Sequence, residues 1–553
     1  PSLCSCRLNN LAFNLMPSEL ASFSRLLVSS AAMNLDSTIA SIRRGEASAR
    51  LPIGVAARIS TLYCPAFLSS IRDVIASLTN YLNSNAVRRF LDRFGIWLVI
   101  ALAGFLRLWQ LGYPSKLVFD ETYYVKDAWT LWNTGSEKAW PQDANLAFEA
   151  GQVSGYLSDP SFVVHPPLGK WIIGFGMWLF GAENSYSWRI STALLGIAAV
   201  GILFLIAKQL FKSTAWALSA AFLFAIDGHA IVLARTALLD NSLMFFALLA
   251  FYFLLRDQQL RNIDATIWFR PWLLASGVAL GAATAVKWSG LYFVAAFGLY
   301  VVISEVLARR AANQKSWFVT GVIKNGLVAF ISLIPATILI YLVSWSGWIL
   351  GNSGYLRDSS NNWLAALIEY HKTAYGFHVG LQTPHAYAAN PLSWIFAIRP
   401  TSFFYESLEA GQDGCNTDGG CSSAITALGN PFIWWPAAAS VFFLAVWYFK
   451  TRERLPGLIL LGIAGGYLPW LLFMNRTMFQ FYAIAFLPWM ILALIFVARY
   501  YVREAVRPIR AQGLFLLYLG LATAGSLFFL TIWIGTWTPY WYWHLHMWLP
   551  SWI

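Results

Sequence analysis

Asp120 and Glu121 are adjacent carboxylates that follow the first strongly apolar segment of the chain, residues 95–111. Neighbouring acids repel each other, and low-dielectric surroundings hold one of them partly protonated, which suits a general base. A solvated loop that happens to contain an Asp-Glu pair is the alternative interpretation. Whether the pair does chemistry therefore depends on which other groups the chain brings to it.

Several charged residues lie within or beside the apolar runs of the sequence, where charge is costly and by default marks a functional site. The run boundaries place them near one end of the runs, the same end at which the acid pair emerges. Cations gathered where water is excluded suit an anionic lipid headgroup. Taken singly, each is equally well a snorkelling residue or part of a structural ion pair. The residues are Arg107, Arg189, Asp227, His229, Arg235, Asp240 and Lys287, together with His165 and Lys170 in the loop that carries the acid pair.

Composition indicates that the elements positioning these residues are membrane helices. Of the 553 residues, 58% are apolar and only 12% are charged, whereas a soluble domain carries about a quarter charged residues. The net charge of +12 does not point to nucleic acid, because most of the excess basic residues lie in short loops between apolar runs, as the positive-inside rule predicts. The sequence therefore predicts an all-α polytopic membrane protein without a nucleic-acid partner.

The apolar runs predict about eleven transmembrane helices, each near the length needed to cross the hydrocarbon core. If the basic linkers are cytoplasmic, two large loops lie outside, residues 112–186 and 350–431. The segment 168–181 is too short for a span. Counting it as a span would also place some basic linkers on one side of the membrane and the rest on the other. It is therefore predicted to be an interfacial helix. The predicted spans are residues 95–111, 187–207, 213–227, 231–255, 271–287, 289–308, 323–349, 432–449, 457–474, 481–500 and 513–535.

Residues 1–90 differ from the rest, since they contain many Ser, Ala, Leu and Arg, few aromatic residues and no apolar run long enough to span. They lack the pattern of a secretory signal peptide, and a transit peptide is a weak competitor. We expect a disordered cytoplasmic extension, part of which precedes the true start if Met16 or Met33 is the initiator. Residues 91–553 then form one transmembrane domain, with the N-terminus of the protein in the cytoplasm.

The second outer loop contains two further patterns. His371, His378 and His385 recur every seven residues, but two helical turns separate ligands too widely for one metal ion, so we expect the polar lining of a cleft and no metal site. Cys415 and Cys421 bracket a tight, Gly-rich loop that forms a disulfide if it faces an oxidising compartment. No phosphate-binding loop, dinucleotide motif or nucleophile elbow occurs in a suitable context.

At these residues the chain resembles the protein O-mannosyltransferases, membrane glycosyltransferases of the GT-C fold. The resemblance runs in family order from about residue 95 to the end. Residues 350–431 are too few for the β-trefoil MIR domain of the eukaryotic members, so the resemblance is to the bacterial, actinobacterial type. The matching stretches are residues 119–124, 165–170, 234–240 and 286–291, His385 with Tyr387, residues 399–406, and residues 541–550.

The resemblance implies inverting transfer of mannose from polyprenyl-phosphate mannose to Ser or Thr hydroxyls of secreted or membrane proteins. It implies a plasma-membrane enzyme with an extracytoplasmic active site, acting during Sec translocation. By the same resemblance, Asp120 and Glu121 match the family's acid motif, and we favour Asp120 as the base. Arg189 matches an arginine needed for activity, and we expect it to bind the donor phosphate. Physical reasoning adds Lys170, Arg235 and Lys287 as phosphate ligands, and His165, Asp240, His385 and Arg399 as further lining of the site.

No cofactor or metal is expected, because phosphate is already a good leaving group and cations that gain in the transition state suffice. Two other functions stay open. One is a polyprenyl-phosphate-sugar transferase that acts on a lipid or glycan, which needs the same acid pair. The other is a transporter or lipid flippase whose intramembrane charges form a translocation path.

Overall fold

The computed structural model describes residues 76–77, 79–261 and 268–553, and this part of the chain is mostly helical. Most of the predicted N-terminal extension lies outside the described residues. Helix α1, Asn85–Leu108, begins after Ser84, whose hydroxyl accepts a hydrogen bond from the Val87 N–H at 3.4 Å. The predicted boundary at residue 90 therefore falls inside a helix, because an N-cap starts that helix five residues earlier.

Helices make up nearly all of the regular structure. Their bounds are α1 Asn85–Leu108, α2 Glu121–Thr134, α3 Ala144–Glu149, α4 Leu168–Phe180, α5 Ser185–Phe211, α6 Thr214–Ile226, α7 Gly228–Ala234, α8 Leu239–Gln259, α9 Pro271–Val286, α10 Gly290–Ala311, α11 Asn325–Ser344, α12 Ser346–Leu350, α13 Trp363–Gly380, α14 Pro391–Trp394, α15 Pro431–Thr451, α16 Arg454–Gly466, α17 Leu487–Glu504, α18 Pro508–Phe529, α19 Thr531–Ile534 and α20 Tyr540–Leu545. A π-helical turn, Val319–Lys324, leads into α11, and 3-10 turns cover Leu468–Leu472, Gln480–Ala485 and Pro550–Trp552.

Six helices of the described chain are long and apolar enough to cross a membrane: α5, α8, α10, α11 with its preceding π-helical turn, α15 and α18. The consecutive helices α6 and α7 make a seventh span if the bent pair is counted as one. Helices α4, α9 and α16 are apolar but shorter. The chain is thus a multi-pass membrane protein, as predicted, while the count of eleven spans stays a prediction.

The span predicted over residues 213–227 corresponds to helix α6, which is followed directly by the short helix α7. Helices α6 and α7 meet at a bend of 62°, where Asp227 accepts a hydrogen bond from the Ala230 N–H at 3.1 Å and so caps α7. Gly228 is required at this bend, because a Cβ there would lie 1.9 Å from the Trp533 ring. Asp227 consequently lies at the bend between the two helices, where it is completely buried.

The span predicted over residues 231–255 is interrupted in the structure. Helix α7 ends at Ala234, and α8 begins only at Leu239. In the break, the Ala237 N–H donates to the Glu121 carboxylate at 2.8 Å instead of to a helical carbonyl. A buried carboxylate thus ends one helix and places the start of the next beside the acid pair.

Helix α9 packs on both α8 and α11. The approach to α11 is close, since a Cβ on Gly277 or Gly281 would lie 2.8 Å or 2.9 Å from backbone atoms of that helix. Small residues of this kind let membrane helices pack tightly. The tight packing fixes the end of α9 at Val286, so that Lys287 lies opposite Asp240 in the first turn of α8.

Helix α4 confirms the helix predicted over residues 168–181, ending one residue earlier at Phe180 because Gly181 adopts a positive φ of 82°. Ile173 and Met177 on one side are fully buried, whereas Trp178 on the other side is 59% exposed. An exposed apolar side suits a membrane interface, and the interfacial position itself stays a prediction.

A small antiparallel sheet joins the second large loop to the C-terminal segment. Strand β1, Ser402–Leu408, pairs with β2, Cys421–Thr426, and β2 pairs with β3, Thr538–Pro539. The predicted disulfide is present and links Cys415 to Cys421 at the start of β2. The sheet is an addition to the predicted all-α fold, which otherwise holds.

Candidate active site

Glu121 is completely buried, and its carboxylate accepts four hydrogen bonds. Arg189 donates from Nε to Oε1 at 2.8 Å and from Nη2 to Oε2 at 2.7 Å, a bidentate pair. The backbone N–H groups of Val118, at 3.0 Å, and Ala237, at 2.8 Å, supply the other two bonds. A carboxylate has about four acceptor positions, so Glu121 has none left for a substrate proton and serves as an anchor.

Arg189 is also fully committed to the protein. Its Nη1 donates to the carbonyls of Leu111 at 3.3 Å and Pro114 at 2.9 Å, and its Nη2 donates to the carbonyl of Lys116 at 2.9 Å. The guanidinium group therefore holds the loop that leads from α1 to the acid pair. The prediction that Arg189 binds the donor phosphate is not retained, because every contact of this buried side chain is to the chain itself.

Asp120 precedes α2 and, unlike Glu121, is partly exposed. Burial raises the pKa of Asp120 to about 6, with the Lys287 ammonium opposing this rise, Asp240 adding to it, and the Tyr124 hydroxyl donating to the carboxylate. Burial in low-dielectric surroundings, one of the two predicted causes, therefore raises the pKa of Asp120, whereas repulsion from Glu121 does not, because Arg189 pairs with that carboxylate. A carboxylate that is mostly ionised at neutral pH but binds protons more tightly than usual suits a general base.

Lys287 and Asp240 form a buried ion pair beside Asp120. The Lys287 Nζ lies 2.9 Å and 3.0 Å from the two carboxylate oxygens of Asp240 and 4.1 Å from the centre of the Tyr482 ring. One positive charge thus faces two carboxylates and an aromatic ring. The structure brings together Asp120, Asp240 and Lys287, three of the residues predicted for the site.

Arg235 and Arg107 bind carbonyl groups at helix ends. Arg235 donates to the carbonyls of Trp109 at 2.7 Å and Gln110 at 3.1 Å, just beyond the end of α1. Arg107 donates to the carbonyl of Ala225 at 3.0 Å, in the last turn of α6. Cationic side chains stabilise helix C-termini in this way. Arg235 is therefore a structural cap rather than the predicted phosphate ligand.

Lys170 likewise has partners within the protein. It forms a buried ion pair with Glu137 and donates to the carbonyl of His165 at 3.3 Å. The nearby carboxyl of Asp127 is buried as well, and burial raises its pKa to about 7, with Lys170 opposing the rise. The predicted role of Lys170 in phosphate binding is not retained, because its ammonium group is paired with Glu137 and acts on Asp127, whereas Lys287 acts on Asp120.

Arg476, which the sequence reasoning missed, is a cation near Lys287. Its Nη2 donates to Nδ1 of His378 at 3.1 Å, its Nε has no hydrogen-bond partner, and none of the ion pairs among the described residues includes it. Its charge also acts on His165, whose pKa burial lowers well below 6.5. A signal existed in the sequence: Arg476 is a lone basic residue in a turn on the side opposite the basic linkers.

The predicted histidines have different neighbours in the structure. His165 and His378 have ring centres 5.2 Å apart, while His371 lies two turns earlier on α13 and forms a hydrogen bond with the Tyr341 hydroxyl at 2.6 Å. His385 packs edge to face on Phe119, the residue before Asp120, at 5.8 Å. Among the described residues, no group of three or more potential ligands could hold a metal ion.

Arg399 supports the segment that carries His385. Its guanidinium donates to the carbonyl of Ala386 at 2.8 Å and to that of Ser551 at 2.5 Å, and it lies over the Tyr387 ring at 5.1 Å. Arg399 thus fixes a segment of the second outer loop against the C-terminal residues, and its contribution to the site is indirect.

Behind the site, Asp227 and His229 join distant segments. Asp227 accepts from the Asn430 N–H at 3.1 Å and from the Trp434 indole at 2.9 Å, and the His229 ring nitrogens face the carbonyls of Ala427 and Phe481 at 3.0 Å and 3.2 Å. Both residues are completely buried. Their position indicates a structural role.

Two family models match most of the chain. Residues 97–350 match the model described as dolichyl-phosphate-mannose-protein mannosyltransferase, and residues 363–552 match the C-terminal four-transmembrane region of protein O-mannosyltransferase. The chain is 30% identical to the polyprenol-phosphate-mannose–protein mannosyltransferase of Corynebacterium glutamicum, over 79% of this chain and 88% of that protein. The chain belongs to the protein O-mannosyltransferase family.

A Mycobacterium tuberculosis protein of the same name is 29% identical, over 84% of this chain and 93% of its own length. The fold is shared with a solved structure of the Saccharomyces cerevisiae Pmt1-Pmt2 protein O-mannosyltransferase complex, with a TM-score of 0.66 at 16% identity over 83% of this chain and 92% of that chain. The resemblance read from the sequence motifs, the GT-C architecture and the assignment as a glycosyltransferase are thereby confirmed.

Proposed function

We propose that this mannosyltransferase moves mannose from polyprenyl-phosphate mannose to Ser or Thr hydroxyl groups of proteins. The named relatives support both substrates. The observation that carries the proposal for the site is the contrast within the acid pair: Glu121 is locked by four hydrogen bonds, whereas Asp120 is partly exposed and lies beside a buried cation. One acid holds the site and its neighbour is left to react.

In the proposed mechanism, Asp120 removes the proton of the acceptor hydroxyl as the hydroxyl oxygen attacks the anomeric carbon of mannose. The bond from that carbon to the phosphate oxygen breaks on the opposite face, so the configuration inverts in a single displacement. The polyprenyl phosphate leaves with the electron pair, and Asp120 keeps the proton until water takes it. The proximity of base and electrophile supplies much of the rate enhancement.

We assign the leaving phosphate to Lys287 and Arg476. Both cations act on the groups around Asp120, and neither is committed to a helix end, unlike Arg235 and Arg107. Cations in a site of low dielectric stabilise a phosphate whose charge grows in the transition state. This assignment requires no metal or cofactor, and transfer is expected to continue in the presence of EDTA.

We place the site on the extracytoplasmic side of the plasma membrane, with the N-terminus in the cytoplasm. The disulfide between Cys415 and Cys421 supports this placement, because such bonds persist in oxidising compartments. The same sheet carries Phe403, which stacks on Phe119 at 5.1 Å and so lies next to Asp120. Acceptors that emerge unfolded during Sec translocation would present accessible hydroxyl groups to this side.

The test is transfer from radiolabelled polyprenyl-phosphate mannose to a Ser/Thr-rich peptide, in membranes that contain wild type or Asp120→Asn. We expect transfer by wild type and a loss of at least a hundredfold in Asp120→Asn, since a general base contributes that much or more. The matched control is Asp143→Asn, an exposed acid of the same loop in left-handed conformation, which Asn tolerates. Labelling of a lipid or glycan instead of the peptide would favour the rival transferase, and labelling of neither would refute the proposal.

A further inference from the structure

His378 connects three segments that are far apart in the sequence. It lies near the C-terminal end of α13, in the second outer loop. Its Nε2 is 2.9 Å from the carbonyl oxygen of Val164, which precedes His165 in the first outer loop. Its Nδ1 is 3.1 Å from Nη2 of Arg476, which lies between two helices of the C-terminal half. One imidazole thus links both outer loops to the unpaired cation of the site.

The two contacts determine which ring nitrogen of His378 carries the proton. A guanidinium group only donates hydrogen bonds, and a carbonyl oxygen only accepts them. Nδ1 must therefore be the acceptor for Arg476, and Nε2 must carry the hydrogen that is donated to Val164. Burial lowers the pKa of His378 to about 4, the Val164 bond opposes this, and Arg476 and Lys287 lower it further. The ring is consequently neutral at neutral pH, as an acceptor must be.

Aromatic neighbours hold the His378 ring in place. Trp288, the residue after Lys287, lies 5.5 Å from it, and His165, which also packs near Tyr124, lies 5.2 Å from it. Ring flips would break both hydrogen bonds, so the packing favours a single orientation. The bond to His378 uses one nitrogen of Arg476 and leaves its Nε without a partner.

We propose that His378 is a positioning residue for donor binding: it fixes the Arg476 guanidinium so that the remaining N–H groups face the phosphate of the lipid-linked sugar. This inference rests on the proposed function, because it takes Arg476 as a ligand of the donor phosphate. It gives the second outer loop a task in donor recognition, through a residue that does not itself touch the donor.

Two substitutions separate the contacts of His378. In His378→Asn, the side-chain oxygen takes the position of Nδ1 and can still accept from Arg476. In His378→Gln, the amide nitrogen takes the position of Nε2 and can still donate to Val164. The control is His371→Asn, which removes a histidine two turns earlier on the same helix whose hydrogen bonds are with Leu367 and Tyr341.

Two measurements report on the donor. The first is the KM for polyprenyl-phosphate mannose and the kcat of transfer, in membranes with equal amounts of protein. The second is the Kd of radiolabelled polyprenyl phosphate for the purified protein, which requires no transfer. We expect His378→Gln to raise KM and Kd about tenfold, which corresponds to the loss of about 1.4 kcal/mol, with kcat changed little. His378→Asn and His371→Asn should stay close to wild type.

A double-mutant cycle with Arg476→Ala covers the case in which both His378 variants weaken binding. If His378 acts through Arg476, adding His378→Gln to Arg476→Ala changes Kd no further. Additive effects, weaker binding only in His378→Asn, or no effect of either variant would overturn the inference. Failure of the proposed function is distinguishable, because wild type would then bind polyprenyl phosphate without transferring mannose to the peptide.

Discussion

Replacing Glu121 by Gln should destabilise the protein, whereas the same change at its neighbour should not. In wild type, the Glu121 carboxylate accepts two hydrogen bonds from Arg189 and two from backbone N–H groups. In Glu121→Gln the new amide nitrogen is a donor, and it faces at least one N–H group that also donates. The substitution also removes the negative charge, so the Arg189 charge is buried without a counter-charge. Breaking a buried ion pair on one side costs about 3–5 kcal/mol. The oxygen of Gln keeps some of the bonds, so we expect about 3 kcal/mol.

The assay is thermal unfolding of the purified protein in detergent, followed by tryptophan fluorescence. The Tm shift per kcal/mol becomes smaller as the chain becomes longer. For a chain of this length, a loss of about 3 kcal/mol corresponds to a fall in Tm of roughly 5 °C. Asp120→Asn is the matched control. Burial disfavours the ionised form of the Asp120 carboxylate, so replacing this carboxylate by a neutral amide should not destabilise the protein. Its Tm should stay within about 1 °C of wild type or rise. Both variants should lose transfer, but for different reasons.

One result would refute this division of roles. If Glu121→Gln keeps the wild-type Tm and loses transfer, while Asp120→Asn still transfers mannose, then Glu121 is the base and the four hydrogen bonds do not hold the loop. A fall in Tm for Asp120→Asn as large as that for Glu121→Gln would also contradict the reasoning. It would show that the partly exposed acid anchors the fold too.

Two further predictions concern the charges around the base. The pH profile of kcat/KM should have an acidic limb with a midpoint near pH 6, because burial raises the pKa of Asp120 to about 6 and the base must be ionised to work. Below that midpoint, kcat/KM should fall about tenfold per pH unit. A midpoint near pH 4 would contradict the assignment of Asp120 as the base. Lys287→Met should raise the KM for the donor and lower the Tm, since it leaves Asp240 buried without its cation. Adding Asp240→Asn to Lys287→Met should restore the Tm but not the KM. Recovery of both the Tm and the KM would exclude Lys287 from phosphate binding.

The sequence was sufficient for the helical membrane architecture because hydropathy and the placement of basic loops depend on local composition. It did not predict the break at residues 235–238, where tertiary contacts override a continuous apolar run. There the Ala237 N–H bonds Glu121, and Arg235 reaches back to the end of α1. A hydropathy pattern contains no information about such partners, since they lie more than a hundred residues away.

The candidate cations show the same limit. The sequence predicts that these cations lie near one end of the spans. A cation at that position can bind a backbone carbonyl, a carboxylate or a ligand, and the sequence does not distinguish these partners. The side chains of Arg189, Arg235 and Lys170 bind carboxylate and carbonyl groups of the protein itself. The identity and position of the partners distinguish a structural cation from a proposed phosphate ligand: Lys287 is also paired, with Asp240, but it lies beside Asp120. Arg476, in a short turn that hydropathy treats as a mere connection, has the fewest partners of the group.

The geometry of the acid pair explains how two adjacent and chemically similar residues acquire different roles. Asp120 is the cap residue and Glu121 the first residue of α2, and successive side chains on a helix diverge by about 100°. Glu121 therefore points inward, where an arginine and two N–H groups donate hydrogen bonds to its carboxylate. Asp120 points toward Lys287, the residue that follows α9, and remains partly exposed. Repulsion between the two carboxylates is not the source of the reactivity. The anchored acid fixes the backbone, and the fixed backbone holds its neighbour in a desolvated position where a raised proton affinity is useful to the reaction.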